Sequence, residues 1–109
     1  MIDLKIKNIS EIDEKYHPEI YDFCENKIKY FNELFKKYSK NLTMEIIFDH
    51  SSSLYKISAG IDLKSKKIIS AEEGKDIMPT LDLLCNKFKK AVKKQHDLEL
   101  KEHTFKRKR

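Results

Sequence analysis

The chain has no tryptophan and only two glycines, two prolines and two cysteines among its 109 residues. With so little glycine there is no loop able to cradle phosphates. Gly60 falls inside a strand pattern, and Gly74-Lys75-Asp76 lacks both the upstream glycine and the Ser or Thr of a P-loop. Gly/Ser/Pro linkers, internal repeats and low-complexity blocks are also absent, so nothing marks a boundary between domains. Cys24 and Cys85 have no redox spacing; both sit on apolar helical faces and are expected to be reduced core thiols. No apolar run approaches the ~20 residues that span a bilayer. The start, Met-Ile-Asp-Leu-Lys, has neither a basic segment leading into an apolar one nor a cleavage site, so the expected address is the cytoplasm. His17, His50, His96 and His103 show no pairing at metal-site spacings and are expected to face solvent. Asp49-His50-Ser51 holds the letters of a hydrolytic triad, but neighbours in a turn point in different directions, and Glu72 and Glu73 face opposite sides of a strand. No catalytic constellation survives, which predicts a non-enzyme with no cofactor and no metal.

What is plentiful is charge. Asp, Glu, Lys and Arg make up 38% of the chain, and the net charge is +5. The two halves differ: residues 1–63 carry 9 Lys against 11 Asp and Glu, whereas residues 64–109 carry 14 Lys and Arg against 7 Asp and Glu. The positive field therefore belongs to the last third, where it attracts polyanions. A basic face on a helix whose apolar side is committed to a core favours nucleic acid over membrane insertion.

Alternation predicts four strands and 3.6-residue periodicity predicts two helices. Ile2, Leu4 and Ile6 alternate with charged residues in a first strand. A helix beginning near Pro18 buries Ile20, Phe23, Cys24, Ile28, Phe31, Leu34 and Phe35. Leu42 to Phe48 is a second strand, Asp49 to Ser53 a turn, Tyr55 to Leu63 a third strand, and Lys67 to Glu72 a fourth after a reversal at Lys64-Ser65-Lys66. Short links make the last three strands an antiparallel meander. The expected fold is α+β: a two-layer β-α-β-β-β-α sandwich, with a four-stranded sheet and both helices on one face. Residues 1–100 are expected to form one domain, and residues 101–109 a basic, disordered tail.

The stretch from Ile68 to Leu98 carries most of the functional signal. Asp76 is a good N-cap, Pro79 sits in the first helical turn, and Ile77, Leu81, Leu84, Phe88, Ala91 and Val92 form an apolar stripe. Outside that stripe Lys87, Lys90 and Lys94 fall on one flank, with Lys89 and Lys93 on the other. In the first helix Lys27 lands inside the apolar face, either as a snorkelling lysine or as a cation held in the groove between the helices.

The element order, together with Ser70-Ala71-Glu72-Glu73-Gly74-Lys75-Asp76-Ile77-Met78, Leu81-Asp82 and Asn86-Lys87-Phe88-Lys89-Lys90, resembles the ribosome hibernation promoting factor family, which includes the ribosome-associated inhibitor proteins. That family's motif is an Ala/Ser-rich strand end, an acidic-Gly turn, Asp, two apolar residues, an Ile/Leu-Asp pair and then Lys-Leu-x-Arg. The likeness covers residues 2–96, closely at the turn and last helix and by pattern before them. It implies a domain on the small ribosomal subunit, in the channel of messenger and transfer RNA, where basic residues of both helices contact ribosomal RNA and translation is inhibited. Carried over by position, the implied RNA-binding residues are Lys27, Lys29, Tyr30, Lys87, Lys89, Lys90, Lys93 and Lys94. The chain departs at Tyr30 and Glu33, where relatives often carry lysines, and at Met78, Pro79 and Thr80, where Tyr-x-Ala is common. Lys29 compensates in part, and Tyr30 is open to stacking on a base. The family's long form adds a dimerising domain; none follows residue 109, so a short form or a shortened long form is expected, monomeric away from the ribosome. No membrane and no small-molecule substrate is expected.

Two other readings compete. A double-stranded-RNA-binding module shares a three-stranded meander but starts with its helix, whereas Ile2-Asp3-Leu4-Lys5-Ile6 precedes the helix here. A protein-interaction domain would carry the same lysines as a merely solvated face.

Overall fold

The computed structural model describes residues 2–38 and 40–107, with side chains as far as Lys101. Strand β1 (Asp3–Lys7) leads through two short 3-10 turns, Ile9–Glu11 and Glu14–Tyr16, into helix α1 (His17–Leu34). Strands β2 (Thr43–Ser51), β3 (Leu54–Asp62) and β4 (Lys67–Gly74) follow, and helix α2 (Ile77–Arg107) completes the order. The sheet runs β1-β2-β3-β4, with β1 parallel to β2 and the other pairs antiparallel. Adjacent parallel strands need a crossover, and α1 is that crossover. Its Asn32 side-chain oxygen accepts the Ile2 N–H at 2.7 Å, tying α1 to the start of the chain.

Alternation puts Met44, Ile46 and Phe48 of β2, and Ile57, Ala59 and Ile61 of β3, on one buried face. Against it pack Ile20, Cys24 and Phe31 of α1 and Ile77, Leu81, Leu84, Phe88 and Val92 of α2, all buried. The predicted two-layer α+β sandwich is the observed architecture, and the second sheet face is free of helices.

Two local expectations are corrected. Asp49, His50 and Ser51 belong to β2, paired with Lys56, Tyr55 and Leu54, so the β2–β3 turn shrinks to Ser52-Ser53, with Ser52 at φ 55. Two-residue hairpins use left-handed backbone because its twist matches the strands. At the start of α2, Asp76 stands directly before Ile77 as expected of an N-cap, and its carbonyl accepts Thr80 N–H at 3.2 Å and the Thr80 hydroxyl at 2.6 Å. Lastly, α2 continues to Arg107 instead of giving way to a disordered tail after residue 100. Residues 93–107 contain no glycine or proline and are rich in Lys, Glu and Leu, so nothing stops the helix. Lys108 and Arg109 lie outside the described residues.

Candidate nucleic-acid interface

The apolar stripe of α2 fixes where its lysines point. Over β3 and β4 the helix buries Leu84, Phe88 and Val92, which leaves Lys90, Lys93 and Lys94 on its outer surface. There they line a shallow groove with Asp97, Leu98 and Lys101. Lys93 pairs with Asp97 at 3.6 Å one turn on, an exposed contact of little energetic weight. Lys90, Lys94 and Lys101 have no ion-pair partner among the described residues, so their charge is available to a ligand.

Lys87 is different. Its Nζ donates to the Ala71 carbonyl at 3.2 Å and lies 3.9 Å from Glu72. It caps the outer edge of β4 and stands apart from Lys90 and Lys94, although a helical wheel groups the three. The wheel cannot see that β4 lies beneath one flank.

Lys89 turns the other way, across the seam between helices, and holds its Nζ 4.2 Å from the centre of the Tyr30 ring. Tyr30 also sets its edge against Phe31 at 5.2 Å, and Phe31 meets Phe88 at 5.7 Å, so an aromatic column supports the pair from below. Lys27 is half-buried on the same seam, with its Nζ 5.0 Å from the Phe23 ring. Its charge reaches Cys85: burial pushes that thiol up to about 11, and the Lys27 ammonium opposes the rise. Lys27 is thus a cation at the helix–helix groove with its stem packed, which combines the two readings left open for it. Lys29, two residues on, is exposed on the far side of α1 and does not join the cluster. Glu33 is drawn off by Lys36 at 3.0 Å.

Cys24 and Cys85 are buried and free, as expected of core thiols. Burial, and then the neighbouring Cys85, push the Cys24 thiol up to about 12, so it is a poor nucleophile. No group of three His, Cys, Asp or Glu among the described residues could hold a metal ion. No helix among the described residues is long and apolar enough to cross a membrane.

Of the histidines with described side chains, His50 alone faces solvent as expected. His50 is exposed and stacks on Tyr55 at 4.3 Å, but His17 Nε2 donates to the Ile12 carbonyl at 2.7 Å. His96 packs against Phe35 at 4.7 Å and Tyr38 at 5.6 Å, and its buried Nδ1 has no hydrogen-bond partner. The His103 side chain lies outside the described residues.

Beside His96 is a polar cluster that periodicity did not reveal. Glu99 accepts from the Tyr38 hydroxyl at 2.5 Å, the Ser65 N–H at 2.9 Å and the Ser65 hydroxyl at 2.6 Å. Gln95 donates to Ser65 Oγ at 2.8 Å, and Lys64 N–H donates to Tyr38 Oη at 3.0 Å. These bonds clamp the distal half of α2 to the β3–β4 turn and to Tyr38 in the segment after α1. The available signal was that Gln95 and Glu99 continue the spacing of Phe88 and Val92, and a polar residue on a buried stripe needs a partner.

No family model and no curated protein matches the chain. Solved structures do. A ribosomal subunit interface protein from Coxiella burnetii superposes with a TM-score of 0.61 at 19% identity, covering 88% of this chain and 99% of that one. The Thermus thermophilus Protein Y N-terminal domain gives a TM-score of 0.61 at 19% identity, covering 85% of this chain and 96% of that one. The chain has their fold. The expected family resemblance and the observed fold therefore point to the same proteins, and at this identity the likeness is one of architecture.

Proposed function

We propose that this protein binds the small ribosomal subunit through ribosomal RNA, in the channel used by messenger and transfer RNA, and holds ribosomes idle under stress and in stationary phase. The observation that carries the reading is the row of lysines on the outer face of α2, Lys90, Lys94 and Lys101, without ion-pair partners among the described residues, in a fold shared with a ribosomal subunit interface protein. Ammonium groups spaced along a rigid helix neutralise successive phosphates and release counterions, which gives affinity without base readout. Lys27 and Lys89 extend the positive surface onto the seam, and Tyr30 orients Lys89. No chemistry is asked of the site; it acts by occupancy.

Co-sedimentation with purified small subunits through a sucrose gradient tests the reading. The protein is expected in the subunit fractions at low salt and at the top of the gradient at high salt. Its absence from those fractions at every salt concentration would refute ribosome binding.

A further inference from the structure

The sheet ends on two edge strands, and they differ. β1 offers five residues, whereas β4 offers eight, Lys67–Gly74, with no proline and an unbroken register against β3. Prolines and bulges are devices that keep a bare edge from pairing with another chain, and β4 has neither.

The hairpin fixes which backbone groups of β4 are bare. Leu63 N–H donates to the Lys66 carbonyl at 3.0 Å, so these two residues are a hydrogen-bonded pair. Such pairs alternate along an antiparallel ladder. The alternation assigns Ile68, Ser70 and Glu72 to bonds with β3 and turns the N–H and C=O of Lys67, Ile69, Ala71 and Glu73 outward. All four of these residues are exposed, Ile69 by 64%. Of their outward groups the Ala71 carbonyl alone has a partner among the described residues, the Lys87 ammonium at 3.2 Å. A long row of this kind is a template for one more strand.

The residues along the row say which strand. Lys67 and Glu73 stand three residues either side of Ser70, and Ile69 and Ala71 one either side. An antiparallel copy of β4, related by a two-fold axis passing between the two Ser70 residues, therefore sets each Lys67 against the second copy's Glu73 and each Ile69 against the second copy's Ala71. The two Ile69 side chains become diagonal neighbours on the open face of the sheet, within reach of each other. Outward-facing residues oppose one another throughout this register, so backbone bonding and side-chain matching agree. Lys87 must release the Ala71 carbonyl. Its side chain is 59% exposed and retains Glu72, at 3.9 Å, as a partner.

We propose that this edge pairs with a second copy of the chain, β4 against β4, to form a two-fold dimer with one continuous eight-stranded sheet and both α2 helices on the same side of it. The monomer expected from the sequence leaves the edge bare. The inference rests on strand geometry and does not depend on RNA binding.

Sedimentation velocity of the full chain, freed of nucleic acid, tests it at low salt. The range is about 10 µM to 1 mM, because an exposed edge pairing belongs to the weak class of interfaces, with a dissociation constant on the order of 100 µM. The expected result is a sedimentation coefficient that climbs from the monomer's value toward the dimer's. Lys67→Glu should weaken association about tenfold, since it sets two pairs of like charges face to face, and Lys67→Glu with Glu73→Lys should restore it at unchanged net charge. Amide exchange at Ile69 and Ala71 should slow several-fold at the high end of the range. A monomer at every concentration, a dimer indifferent to Lys67→Glu, a double variant no stronger than the single one, or Ile69 and Ala71 amides that exchange at one rate throughout would each overturn the proposal.

Discussion

Lys89 of α2 holds its ammonium 4.2 Å from the centre of the Tyr30 ring of α1. The contact fixes a flexible side chain at the seam of two helices and presents its charge beside that of Lys27. Tyr30 thus serves the interface by positioning a cation, whereas the family resemblance alone left it as a lost lysine or a stacking platform. Tyr30→Ala should cost about 0.5–1 kcal/mol from the cation–π contact and further stability from the lost edge contact with Phe31. Tyr30→Phe should leave both nearly unchanged. Urea unfolding of the two variants checks the difference.

The lysines of α2 should separate into two classes. Lys90→Glu with Lys94→Glu should abolish subunit binding while shifting stability by no more than about 0.5 kcal/mol, since both side chains stand clear of the core. Lys87→Glu should do the reverse: it sets a carboxylate against Glu72 and the Ala71 carbonyl, costs up to about 1 kcal/mol, and leaves most of the binding intact. If about five phosphates are neutralised, log affinity of the parent protein should fall with log salt at a slope of roughly −4, and the double variant should flatten that slope. Equal loss of binding in both variants would show that position on the helix does not matter.

These two classes show where the chain was legible and where it was not. Period-2 alternation in Met44, Ile46 and Phe48, and the stripe from Ile77 to Val92, are local signals, and they specified the sheet face and the buried side of α2. Which exposed flank faces solvent and which faces the β4 edge depends on where the helix lands, and residues 87–94 alone do not encode that. Glu99 was missed for the same reason: its partners Tyr38 and Ser65 lie 61 and 34 residues away. His96 was misread because isolated histidines carry no periodic signal, and the aromatic walls of Phe35 and Tyr38 come from another element.

Gly74 illustrates a constraint that is visible only in three dimensions. A Cβ there would collide with the Thr80 hydroxyl, which is already committed to the Asp76 carbonyl. Gly74→Ala should therefore destabilise the protein by about 1–3 kcal/mol despite the better strand propensity of alanine. Adding Thr80→Ala should recover part of that loss, because it removes the clashing oxygen. A thermal melt of the single and double variants decides the matter, and equal melting temperatures would contradict the steric account.

The Glu99 clamp predicts a pH window. Burial alone would raise this carboxyl, but hydrogen bonds from the Ser65 hydroxyl, Tyr38 and the Ser65 N–H outweigh burial and hold its pKa below the usual value. A lowered folded pKa means stability that is present above the unfolded pKa and lost as pH falls through the folded one. Tyr38 is shifted the opposite way, raised to about 12 first by burial and then by its bond to Glu99, so its contribution is present below the ordinary tyrosine pKa and lost as pH rises toward 12. Stability should thus be flat at neutral pH and decline at both extremes. Glu99→Gln should lower the plateau by about 1 kcal/mol and weaken the acid limb. An acid limb unchanged in Glu99→Gln would assign it to other carboxylates.

Occlusion is the prediction that separates an inhibitor from a passive RNA binder. A domain wedged in the decoding channel shares its site with messenger and transfer RNA, so occupancy by one excludes the other by mass action. Cell-free protein synthesis should fall as the protein is added. Preloading small subunits with messenger and initiator transfer RNA should weaken the protein's apparent affinity in proportion to their saturation, and the protein should weaken theirs by the same factor, since linkage is reciprocal. Lys27→Ala tests the seam within the same assay. Its ammonium sits 5.0 Å from the Phe23 ring at the helix–helix seam, on the surface proposed to meet RNA. Truncation should relieve inhibition several-fold while the buried stripe of α1 keeps the fold. Simultaneous, saturating binding of protein, messenger and transfer RNA to one subunit would end the occlusion account, because two bodies cannot fill one channel.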